Sequence, residues 1–260
     1  MLRKVRKTYW LAASKDASMP VMIWFDDALK TTIDNVFPLM HDRGLVGTES
    51  VPTNLVGIVW PDEKWRDKQI MTKQELQRLV SAGWEITSHG STHSHWKDLS
   101  AEQAEEELVE SKTWIRENLG IRAYCFVYPF GEVQHEDLVR KHYPLARTVN
   151  RGIWDGHSRL IDCAFLGPDD FPEVTLLLEK AESPDTFVIF LFHGVIENGD
   201  PWEIHPKRFA EYLDQVVASD VDVVSLREVM LKPCPILRIL PLGPGLQSSA
   251  ASYMASRLSG

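Results

Sequence analysis

Three short segments carry residue types that can cooperate in hydrolysis: Trp24-Phe25-Asp26-Asp27, Ser88-His89-Gly90-Ser91-Thr92-His93 and Leu191-Phe192-His193. Adjacent carboxylates at the end of an apolar run can divide the work, one ligating a metal and the other taking a proton from water. His89 and His93, four residues apart, put two imidazoles on one side of a helical turn or tight loop, and imidazole suits zinc and its neighbours. Each piece alone also has a plain explanation. Asp27 could cap a following helix, and the histidines could lie on the surface. Taken with Asp27, however, the pair makes a His, His, carboxylate set that leaves positions open for water, as a catalytic metal site requires. His95 is a supporting or surface residue in this reading.

His193 closes the apolar run Phe187 to Phe192. It is either a satisfied core histidine or, at the exit of a strand, a group whose ordinary pKa near 6.5 suits it to protonate an amine leaving group. In Phe126-Val127-Tyr128-Pro129-Phe130-Gly131, proline fixes a turn and glycine lets the backbone approach a ligand. The backbone N–H of Phe130 can steady an oxyanion there.

Elements of the right kind stand ready to position these groups. Short apolar runs alternate with amphipathic stretches from Pro20 onward, the pattern of strand-helix-strand units around a mostly parallel sheet. Val21 to Phe25, Val51 to Trp60, Trp84 to Thr87, Tyr124 to Tyr128, Leu145 to Val149, Thr186 to Phe192 and Val221 to Val224 read as strands. Helices are expected over Thr31 to Arg43, from the capping box Thr72/Glu75 to Gly83, from Ser100/Gln103 to Gly120, near His135 to Lys141, over Val174 to Ala181 and over Pro206 to Ala218. The glutamates of the Ser100 to Gly120 helix read as a solvated face. About seven strands separated by helices favour a closed or nearly closed α/β barrel over an open doubly wound sheet, and both chemical motifs after Phe25 and Thr87 then sit at strand carboxyl ends, where such folds place active sites.

The chain has 260 residues, 44% hydrophobic and 25% charged, enough for one domain with a sizeable core. Its net charge of -9 argues against binding nucleic acid phosphates. Three cysteines without CxxC spacing read as reduced thiols. The basic start is followed by a segment too polar for a secretory apolar region, which leads to the expectation of a cytoplasmic protein, and no run is long enough to span a bilayer. Residues 1–232 are expected to form the catalytic domain, and 233–260, rich in Pro, Gly and Ser, a tail.

In its order of motifs, FDD, then HxxxH, then a YPFG turn, then LFH, the chain resembles the polysaccharide deacetylase family, carbohydrate esterase family 4, over roughly Pro20 to Leu231. That resemblance implies a distorted (β/α)7-type barrel and a metal-dependent hydrolase that removes N-acetyl groups from an amino sugar or an N-acetylated oligo- or polysaccharide, releasing acetate. It implies Asp26 as general base, Asp27, His89 and His93 as ligands of a divalent metal with zinc the first choice, and His193 as general acid. Three departures stand out: Ala28 where the first motif commonly ends in glycine, Val127 where an arginine often helps to position the base, and Phe130 in place of tyrosine. Arg147 or Arg151 could replace the arginine. The acidic and tryptophan segment expected to orient the catalytic histidine is not evident; Trp154-Asp155 and Asp162 are its candidates. Among Trp65, Trp96, Trp154 and Trp202, Trp96 is the first choice to stack on a sugar, being three residues past His93. The same site could instead serve a small non-sugar amide or an O-acetyl ester, or persist in a carbohydrate-binding barrel without turnover.

Overall fold

The first strand, β1 (Pro20–Phe25), is buried along its whole length, as a parallel strand covered on both faces must be. The computed structural model describes residues 20–60, 68–149, 153–156, 158–166, 177, 187–219 and 221–231. After β1 come β2 (Thr48–Val51), β3 (Glu85–Ser88), β4 (Cys125–Val127), β5 (Leu145–Arg147), β6 (Leu160–Ile161), β7 (Ala164–Phe165), β8 (Val188–Phe192) and β9 (Asp222–Val223). Their ladders are parallel, in the order β6-β5-β4-β3-β2-β1-β8-β7, with β9 also against β1.

The two ends of that path, β6 and β7, are separated in the chain only by Asp162 and Cys163, so the sheet comes back round to its start. Side-chain alternation agrees. Met22 and Trp24 of β1 share one apolar cluster with Cys125 and Val127 of β4, Leu145 of β5, Ile161 of β6, and Ile189 and Leu191 of β8. Strands as far apart as β5 and β8 could not meet across a flat sheet whose neighbours lie about 4.8 Å apart. Val21, Ile23 and Phe25 face the other way, into the larger layer beneath the helices. The α/β class and the curled, barrel-like sheet expected from the motif order are therefore what the chain adopts.

The helices are α1 (Phe37–Asp42), α2 (Lys73–Ser81), α3 (Ala101–Leu119), α4 (Glu136–His142), α5 (Pro206–Ala218) and α6 (Leu226–Leu231). Both expected capping boxes form, Thr72 with Glu75 on α2 and Ser100 with Gln103 on α3. The second strand lies earlier than its apolar signal suggests. Thr48, Glu49 and Ser50 carry it, Pro52 ends it, and a short turn over Thr53–Leu55 follows. Polar residues hide this strand because its inner side packs on polar groups: Ser50 Oγ accepts from Trp24 Nε1 at 2.6 Å and from Thr87 Oγ1 at 3.1 Å. The two-residue strands β6 and β7 are too short to show a periodicity, whereas α6 carries Leu226, Val229 and Met230 at helical spacing behind a Ser225/Glu228 capping box, a signal outside the elements expected above. The helix expected over 174–181 lies, apart from Leu177, outside the described residues, as do Cys234 and the segment 233–260. Among the described residues no helix is long and apolar enough to cross a membrane.

Glu85 begins β3 in register with Thr48, and through it with inward-facing Trp24. Burial pushes its carboxyl from the ordinary 4.5 up to about 8, with Arg227 pulling the other way. The folded chain keeps a proton that the unfolded chain releases near pH 4.5, so stability falls as pH rises from about 4.5 to about 8, by up to about 1.4 kcal/mol per pH unit. Glu85→Gln is expected to flatten that slope, stabilising the fold at pH about 8 and leaving it unchanged at pH about 4. Denaturant melts at the two pH values check this, and the same slope in both proteins would refute it.

Candidate active site

Strand parity delivers four of the chemical groups to one mouth. Met22 and Trp24 point into the barrel, so Asp26 does too, and its N–H donates to Phe192 O at 3.2 Å. Counting by twos likewise takes Thr87 to His89, Leu145 to Arg147, and Leu191 to His193. Asp27 would by the same alternation point away. Instead it adopts φ +76°, followed by Ala28 at φ +53°, and this left-handed pair turns its carboxylate back toward the mouth. The turn is pinned on both sides: Ala28 N donates to Glu49 Oε1 at 2.9 Å, and Ala28 O accepts from Met71 N at 2.8 Å. The first helical residue is Lys30, and the Asp27 carboxylate faces the imidazoles of His89 and His93, so the capping role for Asp27 is excluded.

Asp27 Oδ1 lies 3.4 Å from His89 Nε2 and 3.2 Å from His93 Nε2, while Asp27 Oδ2 lies 3.9 Å from His193 Nε2. One potential ligand atom from each of Asp27, His89 and His93 falls within 4.8 Å of the others. His89 Nδ1 lies 2.8 Å from Val127 O, and a carbonyl can only accept. The neutral imidazole therefore turns its Nε2 lone pair toward Asp27, the orientation a metal-ligating histidine takes from such a partner. Lone pairs converging on a carboxylate are the arrangement a cation resolves, so the donor set fits a divalent metal. Burial would raise the Asp27 carboxyl, but once the imidazoles of His89 and His93 are protonated the same Nε2 atoms donate to it and hold it well below its ordinary value.

The polysaccharide deacetylase family's sequence model matches residues 13–143, half of the chain. The chain belongs to the polysaccharide deacetylase family. A poly-beta-1,6-N-acetyl-D-glucosamine N-deacetylase of Staphylococcus epidermidis is 24% identical over 129 residues, 45% of this chain and 43% of that protein. The match thus spans less than half of that relative's length. Among solved structures, IcaB from Ammonifex degensii aligns with a TM-score of 0.52 at 19% identity, covering 62% of this chain and 72% of its own. A family 4 acetyl xylan esterase from Clostridium thermocellum, in complex with a cobalt ion, aligns with a TM-score of 0.55 at 17% identity, covering 81% and 89%. At these identities the likeness is one of fold.

The family match ends before Arg147 and His193, and tertiary structure alone brings these two to the mouth. Arg147 is wholly buried. Its Nη2 donates to both oxygens of Asp26, and its Nη1 donates to Cys163 Sγ at 3.1 Å. Across the β4/β5 ladder it stands in register with Val127. The arginine absent at Val127 is thus supplied from the same level of the neighbouring strand, while Arg151 lies outside the described residues. Burial pushes the Asp26 carboxyl up, Arg147 with His89 and His193 pulls it down, and the net direction is below its ordinary value. Ala28 occupies a backbone conformation that favours glycine, which accounts for the usual residue there and for the anchors this chain provides.

Phe130, also left-handed at φ +57°, is 47% exposed, with its ring 4.7 Å from that of His93 and stacked on His95 at 3.8 Å. Trp96 does not reach the rim. It is 0% exposed, folded back in a short turn onto Phe126 and Tyr128, so it is a core residue and the expected sugar contact is corrected. Trp154 is buried too, donating to Ser158 O at 2.9 Å, and Asp155 caps the same turn by accepting from Ser158 N at 2.7 Å. Asp162 sits at the junction of β6 and β7. Trp65 lies outside the described residues.

Proposed function

We propose that this chain is a metal-dependent deacetylase that removes N-acetyl groups from an amino sugar within an oligo- or polysaccharide. The observation that carries the reading is the meeting of Asp27, His89 and His93 with a second carboxylate, Asp26, and a third imidazole, His193, at one mouth of the barrel. Asp27, His89 and His93 would hold the cation, which supplies polarisation of the acetyl carbonyl and acidification of water. Asp26 takes the proton from the attacking water as its oxygen bonds to the carbonyl carbon. Arg147 keeps Asp26 ionised and aimed, and a carboxylate has lone pairs left for water beyond those the guanidinium engages. The backbone N–H of Phe130 is the donor assigned to the developing oxyanion. His193 hands its proton to the nitrogen as the C–N bond breaks, leaving a free amine and acetate.

The Staphylococcus relative, a deacetylase of poly-beta-1,6-N-acetyl-D-glucosamine, favours a β-linked N-acetylglucosamine polymer, and the Clostridium thermocellum esterase makes O-acetyl ester cleavage the second reading. Chelator-stripped protein, assayed for acetate release before and after adding zinc or cobalt, tests both. Activity is expected on N-acetylglucosamine oligomers only with metal restored. Preference for acetylated xylan would favour the esterase, and no acetate from either, with metal bound, would favour a carbohydrate-binding role.

A further inference from the structure

The stripe of α3 that packs on the sheet contains Ala104, Leu108, Ser111, Ile115 and Leu119, and helical spacing places Glu107 on it as well. Glu107 is 7% exposed, whereas Glu102, Glu105, Glu106 and Glu110 form the solvated face expected of this helix. Its carboxylate reaches the loop between the two ligand histidines. Oε2 accepts from the N–H groups of Ser91 at 2.6 Å and Thr92 at 3.0 Å, and Oε1 accepts from the Thr92 hydroxyl. One turn further along α3, Ser111 Oγ accepts from Ser88 Oγ at 2.7 Å and donates to Glu107 O at 2.7 Å.

The loop does not hold this shape unaided. Gly90 sits at φ +77° and His93 at φ +61°, the second a conformation that costs an L-residue roughly 1 kcal/mol or more. A Cβ on Gly90 would come within 2.7 Å of Glu107 Oε2, so the carboxylate lies directly against the backbone between the histidines. Two successive N–H groups aimed at one anionic oxygen make a strong, orienting anchor.

We propose that Glu107 is a positioning residue for the metal site: it sets the separation of the His89 and His93 imidazoles through the backbone of Ser91 and Thr92, without touching the ion. This rests on the reading of Asp27, His89 and His93 as cation ligands. Residues that orient ligands in this way typically change metal affinity by about 10- to 100-fold.

The test is zinc affinity of the full chain, stripped with chelator and titrated against a chromophoric competitor, with the zinc-induced rise in Tm as a second readout. Glu107→Leu is expected to weaken zinc about 10- to 100-fold and to shrink that rise. Glu107→Gln should stay within a few-fold, because its carbonyl oxygen can take both N–H groups while its amide donates to the Thr92 hydroxyl. A residue that merely supports the fold would lower the Tm of the stripped and loaded forms equally and leave affinity at the parental value; that result overturns the proposal. Should Glu107→Leu not fold, Glu107→Asp, which retracts the carboxylate by one methylene, takes its place with the same two expected outcomes. Failure of the parent chain to bind zinc, with His89→Ala as the baseline, would overturn the ligand reading itself. Parental binding with indifferent Glu107 variants would overturn only the positioning role.

Discussion

Asp26→Asn is expected to lower kcat/KM for acetate release by about 10²- to 10⁴-fold while zinc affinity stays within a few-fold of the parent's. The amide keeps the shape of the carboxylate but cannot accept the proton that the attacking water must lose. Asp26 is not part of the set whose ligand atoms converge; its oxygens face Arg147, and of the two aspartates it is Asp27 that lies against both His89 and His93. The variant also leaves Arg147 buried against a neutral partner, so turnover has to be compared on protein shown to be folded by circular dichroism. Parental turnover would remove Asp26 from the role of base. Joint loss of zinc and activity would instead assign it to the ligands.

Arg147→Met is expected to cost about 3 to 5 kcal/mol of stability, because it strands the Asp26 carboxylate in the barrel interior without its counter-charge. For a chain of this size that corresponds to a fall in Tm of roughly 10 °C. Methionine approximates the length of the arginine stem and can still pack beside Trp24, over whose ring the guanidinium now lies at 5.1 Å. Most of the loss is therefore electrostatic rather than a cavity. Adding Asp26→Asn to Arg147→Met is expected to restore part of the Tm, since a neutral amide needs no cation, and the double-mutant cycle isolates the coupling. A single variant that melts with the parent would show that the buried pair contributes nothing net, as some ion pairs do.

Much of the site can be read from short stretches. The continuous apolar run Val21 to Phe25 forecasts a buried strand with Asp26 at its exit, and the run Phe187 to Phe192 does the same for His193. The capping boxes at Thr72 and Ser100 mark helix starts because their hydrogen bonds close within three residues. Trp96 misled because nearness in sequence to His93 says nothing about the direction of the turn between them, and that turn packs the indole into the core. Glu107 was legible in principle: it falls on the same helical stripe as Ala104 and Ser111, but a glutamate among glutamates reads as solvent-facing until something is known to lie above it.

What the sequence determined by itself is the chemistry available, and the strand and helix exits that carry it, since periodicity, caps and the Asp-Asp and HxxxH spacings are local properties of the chain. Only the tertiary structure decided the partnerships. Asp26 and Arg147 are 121 residues apart, and what joins them is the register of β4 against β5 together with the curl of the sheet. Register is set by burying one whole face of each strand at once, and a sum over many distant contacts cannot be read from any one segment.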